Sequence, residues 1–523
     1  MKNLLKYMCS GLLPLLVPVL LLAGDELRLP AVIGNKMVLQ QQSEVPLWGW
    51  AQAGKKVRVK ADWHFFSKTV QTDDNGKWQL KLKTPKAGGS YQISFKTDRQ
   101  TVMLDSVLIG EVWLCAGQSN MEMSFKRTDE AEKEIALADH PQIRLFKVGR
   151  RVSKEIQDDC KGKWLLCTPG SAADFSGMAY HFGKEIQQNL NVPVGLIQIA
   201  WGGVAAEVFM KEDFLRQNPE YSHLFEKWEQ WRRWAEDNYA EYDSLLKQWK
   251  TWVEQAELSG QKSLAPPQKP DLPEPMYNLV RPHREPAVLY NGMLAPVIPY
   301  GIKGVIWCQG ISNRDRAYQY HTLFPDLIRH WRHEWQQGEF PFYFVQNPPC
   351  NFKNLESAAE LREAQPLTMQ TVINTGMVVT IDAGDFHDLH PRNKKTPGIR
   401  LSNWALAKTY GFEDIPFSGP IYKSSQIKGC KIIITFDYAG AVLKLTGDTL
   451  EQFMIAGRDS VFYPAEVKIN GSEIEICSSA VPEPVATRYN WFGEPGACLF
   501  NGDNLPASPF RTDDWPGVTY GKK

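Results

Sequence analysis

Short runs of alternating apolar and polar residues fill positions 25–105: KMVLQ, VPLWGWA, KVRVKADW, KWQLKLK and YQISF, parted by DDNG and AGGS turns. Period-two runs of that length with turn signals predict an N-terminal β-sandwich. The rhythm then changes. Nearly continuous apolar runs (VWLCA, VGLIQIA, GVIWCQG, PFYFVQ, MVVTID) alternate with helical patterns such as FSGMAYHFGKEIQQNL, LFPDLIRHWRHEW and LSNWALAKTY. Buried strands separated by amphipathic helices predict an α/β domain with a parallel sheet flanked by helices over 106–421. Within it, 211–275 reads as a helical insertion. Leu224, Trp228, Trp231, Tyr239, Tyr242, Leu246, Trp249 and Val253 recur there at three- and four-residue spacing. The spacing suits a helical hairpin with an apolar packing stripe, or a stripe that stacks on carbohydrate. From about Tyr422 strand patterns return (KIIITFD, AVLKLTG, EQFMIAG, AEVKING, EIEICS), predicting a C-terminal β module over 422–523 whose tail returns to the α/β domain.

The predicted parallel strands end in polar motifs. VWLCA leads into Gly117-Gln118-Ser119-Asn120, VGLIQIA into Trp201-Gly202-Gly203, GVIWCQ into Gly310-Ile311-Ser312-Asn313, and MVVTIDAGDFHD into Leu389-His390-Pro391. In open α/β sheets the ligand crevice lies beyond the carboxyl ends of the strands, so the four motifs converge on one site. Their chemistry suits acyl transfer. A serine hydroxyl such as Ser119 needs a base, and His390 titrates near neutrality. Asp388, or alternatively Asp385, can orient the imidazole. The backbone N–H groups of Ser119 and Gly203, with the Asn313 amide, can hold an oxyanion, and Gln118 and Gln309 add polar groups for substrate. Gly-Gln-Ser-Asn is equally an ordinary polar turn, and Asn313 an ordinary helix cap. His387 and its neighbouring aspartates admit a metal reading, but no carboxylate and imidazole set has a clear ligand pattern. The G-x-S-x-G elbow is not met, because Met121 stands where the second glycine belongs.

Composition narrows the partners. A 523-residue chain exceeds the roughly 250–300 residues at which one core stops growing, so several domains are expected. The 59 basic residues balance 59 acidic ones, which provides no footprint for nucleic acid. The 18 Trp and 18 Tyr suit either a large aromatic core or sugar-stacking surfaces. At the start, Lys2 and Lys6 precede an apolar segment from Leu12 to Ala23 and then charge, the grammar of a signal peptide over 1–24. No later run approaches the roughly 20 apolar residues of a membrane span. The expectation is an exported protein, periplasmic or extracellular. The eight cysteines after the leader are scattered without ligand spacing; a Cys160–Cys167 bridge is the pairing to check, and buried free thiols suit the others.

Several blocks in order (LRLPAVIGNKMVLQQ, WLCAGQSNMEM, GLIQIAWGGVAAEVFM, LYNGMLAPVIPYGIKGVIWCQGISN, DAGDFHDLHPRNK, PVATRYNW and LPASPFRTD) resemble the sialate O-acetylesterase family, a branch of the SGNH-type serine esterases. The resemblance implies Ser119 as nucleophile, His390 as base, and the Ser119 N–H, a glycine of the 201–203 block and Asn313 as oxyanion hole. It also implies an O-acetylated sugar, with sialic acid first and acetylated xylan second, and no cofactor. Two departures stand out. Ile311 replaces a common glutamate, and His387 occupies the position, three before the histidine, where the triad acid often lies. A catalytically silent carbohydrate-binding protein is the rival from another class, and the sequence leaves a homodimer open.

Overall fold

The computed structural model describes residues 26–523 except 259–268, 352–353, 448, 450 and 493. The leader expected over 1–24 therefore lies outside the described residues. The centre is a seven-stranded sheet made of β1 (Thr101–Gly117), β2 (His140–Lys147), β3 (Trp164–Cys167), β4 (Val194–Ala200), β5 (Gly304–Cys308), β6 (Phe342–Val345) and β7 (Thr375–Val378), in the order β7-β6-β5-β1-β4-β2-β3. All neighbours are parallel except β2 and β3, which form an antiparallel edge. Helices Gly177–Leu190, Ala317–Trp335, Leu355–Thr371 and Lys395–Trp404 flank it. Strands β4, β5 and β6 and helices Gly177–Leu190 and Ala317–Trp335 fall on the predicted apolar runs and helical patterns; β7 and helix Lys395–Trp404 overlap theirs in part, and helix Leu355–Thr371 lies outside the patterns read from the sequence.

Strand β1 carries the arrangement. Its 17 residues are too many for one domain. The first half pairs antiparallel with Gly88–Lys96 and parallel with Val38–Gln40 in the N-terminal module. The second half, buried from Val107 to Gly117, is the middle strand of the α/β sheet. The module boundary expected at 105 thus falls inside one continuous strand. On either side of β1 the chain order changes: β4 lies against it on one flank and β5 on the other, with Ala200 and Cys308 both in register with Gly117. That is a topological switch point, where open sheets place their crevice.

Aromatic residues fill the core. Trp113, Trp307, Trp331, Trp335 and Trp404 are fully buried, and Trp307 meets Phe209 and Trp331 edge-on at 5.8 and 5.5 Å. The Trp-rich tract departs from the expected hairpin. Among the described residues it forms one 36-residue helix, His223–Leu258, and the short helix Glu274–Leu279, whose first turn holds Pro275. The C-terminal module has its own core around Ile432, Ile434, Phe453 and Tyr489. Its tail lies on the α/β domain: Arg511 pairs with Glu363 at 2.7 Å, and the Thr519 N–H donates to Glu360 at 3.0 Å.

The Cys160–Cys167 bridge is absent; both are free, buried thiols. Cys160 packs into the core cluster shared with the N-terminal module and Cys167 into the cluster around Ile143 and Phe175, so the two serve different cores.

At the end of β1 the backbones of β1 and β5 touch. Gly117 has φ +143°, and a Cβ there would lie 2.2 Å from the Cys308 carbonyl oxygen. Only glycine fits. Replacing Gly117 with Ala should lower unfolding stability by about 1–3 kcal/mol, read as a lower urea midpoint; an unchanged midpoint would show that the strand ends can separate freely.

Candidate active site

After Gly117 the chain turns sharply, the Gln118 N–H donating to the Cys308 carbonyl at 2.9 Å, and starts a four-residue helix, Ser119–Glu122. Ser119 is its first residue, where backbone N–H groups have no partner within the helix. The loop after β7 brings His390 over this turn, with Nε2 2.8 Å from Ser119 Oγ. Residues 271 positions apart thus meet at hydrogen-bond distance.

The aspartates take other work. Asp385 Oδ1 accepts the His387 N–H and Asp388 Oδ1 accepts the His390 N–H, each at 2.8 Å. Both are side-chain-to-backbone turns that shape the loop. Among the described residues no carboxylate bonds to the His390 ring. Burial lowers the imidazole pKa; the Asp388 charge opposes this, and the Lys394 and Arg127 charges reinforce it.

The remaining motifs converge as well. The Trp201 N–H donates to the Gly117 carbonyl at 3.2 Å, and a Cβ on Gly202 would lie 3.3 Å from the Ser119 Cβ. Gly203 has φ +74°, with the Arg284 guanidinium close by. Gln309 and Asn313 lie deeper, each 1 % exposed. Gln309 donates to the Val204 carbonyl and to Asn313 Oδ1, and it accepts from the Tyr320 hydroxyl. Both ends of its amide are thereby occupied within the protein, so Gln309 serves as a support rather than a substrate contact. Asn313 Oδ1 also accepts the Ala206 N–H at 3.0 Å, and Nδ2 gives one hydrogen to Glu207 at 3.0 Å. The Gln118 side chain is 2 % exposed, and its Oε1 has no partner among the described residues.

Two contributors escaped the sequence reading. Glu122 accepts the Gly202 N–H at 2.8 Å through Oε2 and the Arg150 Nε at 2.8 Å through Oε1. Arg150 in turn lies over the Trp201 ring, which stacks on His283 at 4.7 Å. His283 is held neutral, its pKa lowered to about 4 by burial and then by Arg284, Arg150 and Arg281. Glu122 thus ties the serine helix to the Trp201-Gly202-Gly203 turn. Its only sequence signal is its position three residues after Ser119.

Ser119 and His390 open into a cleft of about 670 Å³ whose walls include Arg127, Lys147, Arg150 and Gln198. Gln198 is 1 % exposed; its Oε1 accepts the Ser176 N–H, and its Nε2 has no partner among the described residues. Arg127 has no ion pair among the described residues, whereas Arg150 is paired with Glu122. The cleft wall is therefore net cationic with one free amide donor. Among the described residues no group of three or more His, Cys, Asp or Glu could hold a metal ion.

Comparison with known proteins gives the family of the chain. A solved carbohydrate acetylesterase from Xanthomonas citri is 32% identical, covers 94% of this chain and 100% of its own, and superposes with a TM-score of 0.77. The family model described as carbohydrate esterase, sialic acid-specific acetylesterase, matches residues 109–260. The chain belongs to the sialate O-acetylesterase family of carbohydrate esterases. Sialate O-acetylesterases of Mus musculus and Rattus norvegicus are 28% and 27% identical, each over 93% of this chain and 94% of their own length. The residues matched include Ser119, Glu122, Arg127 and Arg150 of the cleft wall, and His390 lies outside them.

The His390 imidazole should titrate below the ordinary histidine value of about 6.5, because burial, Lys394 and Arg127 disfavour the imidazolium more than Asp388 favours it. Ring-carbon NMR shifts followed across pH would measure it. A midpoint above the ordinary value would mean that Asp388 dominates the ring's surroundings.

Proposed function

We propose that the protein is an exported esterase that removes O-acetyl groups from sialic acid through an acetyl-serine intermediate. The observation that carries the reading is the 2.8 Å contact between Ser119 Oγ and His390 Nε2 on the wall of the cleft. Neutral His390 accepts the Ser119 proton as Oγ attacks the acetyl carbonyl carbon. The Ser119 N–H at the helix start, the Gly203 N–H and the second hydrogen of the Asn313 amide are the donors proposed for the oxyanion. Collapse breaks the bond to the sugar oxygen, which leaves with the proton from His390. Water then attacks the acetyl-serine, giving its proton to His390, and acetate departs as Ser119 recovers its hydrogen. Asp388 acts through its field on the imidazolium, its Oδ1 accepting the His390 backbone N–H and neither oxygen bonding the ring among the described residues. Export is proposed on the leader grammar of residues 1–24.

The cationic wall supports an acidic sugar. Arg127 and Lys147, with the unpartnered Gln198 amide, offer donors that a sialic acid carboxylate would occupy and a neutral plant glycan would leave unused.

Ser119→Ala should reduce acetate release from 4-nitrophenyl acetate and from O-acetylated sialic acid by at least about 10³-fold. Retained turnover in the folded variant would refute the serine mechanism. Arg127→Gln should raise KM for O-acetylated sialic acid about tenfold, the loss of one charge-assisted hydrogen bond, and leave KM for 4-nitrophenyl acetate near the parent's when both are measured well above the acid limb, which itself moves to higher pH as a cation opposing the imidazolium is lost. Equal KM values for both proteins on the sialate would remove the carboxylate argument and move the substrate search to acetylated plant glycans.

A further inference from the structure

Lys394 is a misfit by the ordinary rules of stability. It is 3 % exposed, has no carboxylate at ion-pair distance among the described residues, and precedes the first residue of helix Lys395–Trp404, where the helix dipole repels a cation. Such violations concentrate at functional sites. Its contacts are specific: Nζ donates to Asn120 Oδ1 at 2.8 Å and to the Pro391 carbonyl. Asn120 Nδ2 donates in turn to the Leu389 carbonyl at 3.2 Å. Asn120 directly follows Ser119, and Leu389 and Pro391 are the two neighbours of His390. One ammonium and one amide therefore join both flanks of His390 to the residue after Ser119.

We infer that Lys394 and Asn120 form a buried clamp that sets the His390 imidazole against Ser119, Lys394 being a positioning residue that does the orienting expected of a triad carboxylate. The inference rests on the Ser119–His390 reading. The ammonium suits the task because it has three hydrogens and no accepting capacity, so it can bind two oxygens from different segments at once. The aspartates near His390 cannot do this, since an ionised carboxylate only accepts hydrogen bonds. Lys394 also acts through space. His390 is faced by Lys394 and Arg127, which disfavour the imidazolium, and by Asp388, which favours it. Lys394 itself is faced by Cys308, Asp388 and Asp129, and burial lowers its pKa to about 8, so it is charged at neutral pH. The clamp therefore sets where the base sits and helps keep it unprotonated.

The test measures kcat, KM and the pH profile for 4-nitrophenyl acetate on the full chain, with Ser119→Ala assayed alongside and thermal melting to verify folding. Lys394→Met should lower kcat on the order of 10²-fold with KM little changed, the usual effect of a misplacement near 1 Å. Its acid limb of kcat/KM should move to higher pH, because one of the two cations that oppose the imidazolium is gone. Asn120→Asp, which keeps an acceptor for Lys394 but cannot donate to the Leu389 carbonyl, should also lose kcat; it decides the matter alone if Lys394→Met does not fold. A folded Lys394→Met within roughly twofold of the parent, with an unmoved acid limb, would overturn the clamp, and so would an Asn120→Asp variant at the parent's rate. An active Ser119→Ala would instead remove the serine reading on which the clamp stands.

Discussion

The contact between Gly117 and the Cys308 carbonyl is the constraint on which the site depends. Two neighbouring parallel strands end level with each other, and the absence of a side chain at 117 lets the β1 backbone turn outward against the end of β5. A residue with a Cβ would force the ends apart and move Ser119 off the helix start. Because β4 also ends in register with Gly117, three strand ends form a single platform. The serine, the glycines that follow β4 and the amide network that follows β5 then lie together with no long loop to order. Only the histidine comes from farther along the sheet edge, and it needs separate anchoring.

Charge is distributed around that platform in an unusual way. The two aspartates nearest His390 shape its loop, and the carboxylate on the cleft wall, Glu122, is paired with Arg150 and accepts a backbone N–H. What faces the imidazole is mostly cationic, through Lys394 and Arg127. Such a field favours a neutral base at rest and an anion in the cleft. It also disfavours the imidazolium, and Asp388 is the charge that limits this cost. The aromatic residues follow a simpler logic: the largest ones are buried in the sheet's core, and Trp201 is held between Arg150 and His283.

Much of this was legible in the sequence because strand ends announce themselves. Apolar runs that stop at Gly-Gln-Ser-Asn, Trp-Gly-Gly and Gly-Ile-Ser-Asn mark where buried backbone meets solvent, and the crevice rule then groups them. Edge strands were harder. PQIRLFK and KWLLC form the antiparallel pair at the edge, but each mixes charge with apolar residues, Arg144 being buried in the first, so neither stands out from a loop. The continuity of Thr101–Gly117 was hidden because alternation gives way to a solid apolar run inside one strand, as the environment changes from one exposed face to two buried ones. The roles of Glu122, Arg150 and Lys394 could not be read, since a charged side chain shows nothing of its partner until the chain is folded. For the same reason Asp388 and Asp385 looked suited to orienting the imidazole, whereas each turns one oxygen to a backbone N–H of its own loop and neither bonds the ring among the described residues.

The single strand shared by the N-terminal module and the α/β sheet changes what the word domain means for this chain. A unit joined by a linker can be lost, duplicated or exchanged in evolution without disturbing its neighbour. Here the first half of the strand is a structural member of one body and the second half the axle of the other. Removing residues 26–100 would strip the partners from the first half of β1 and leave an unpaired ribbon attached to the middle of the catalytic sheet. The accessory sheet and the turn that carries Ser119 are built on the same continuous strand, so a change in the pairing of its first half is felt at the end of its second.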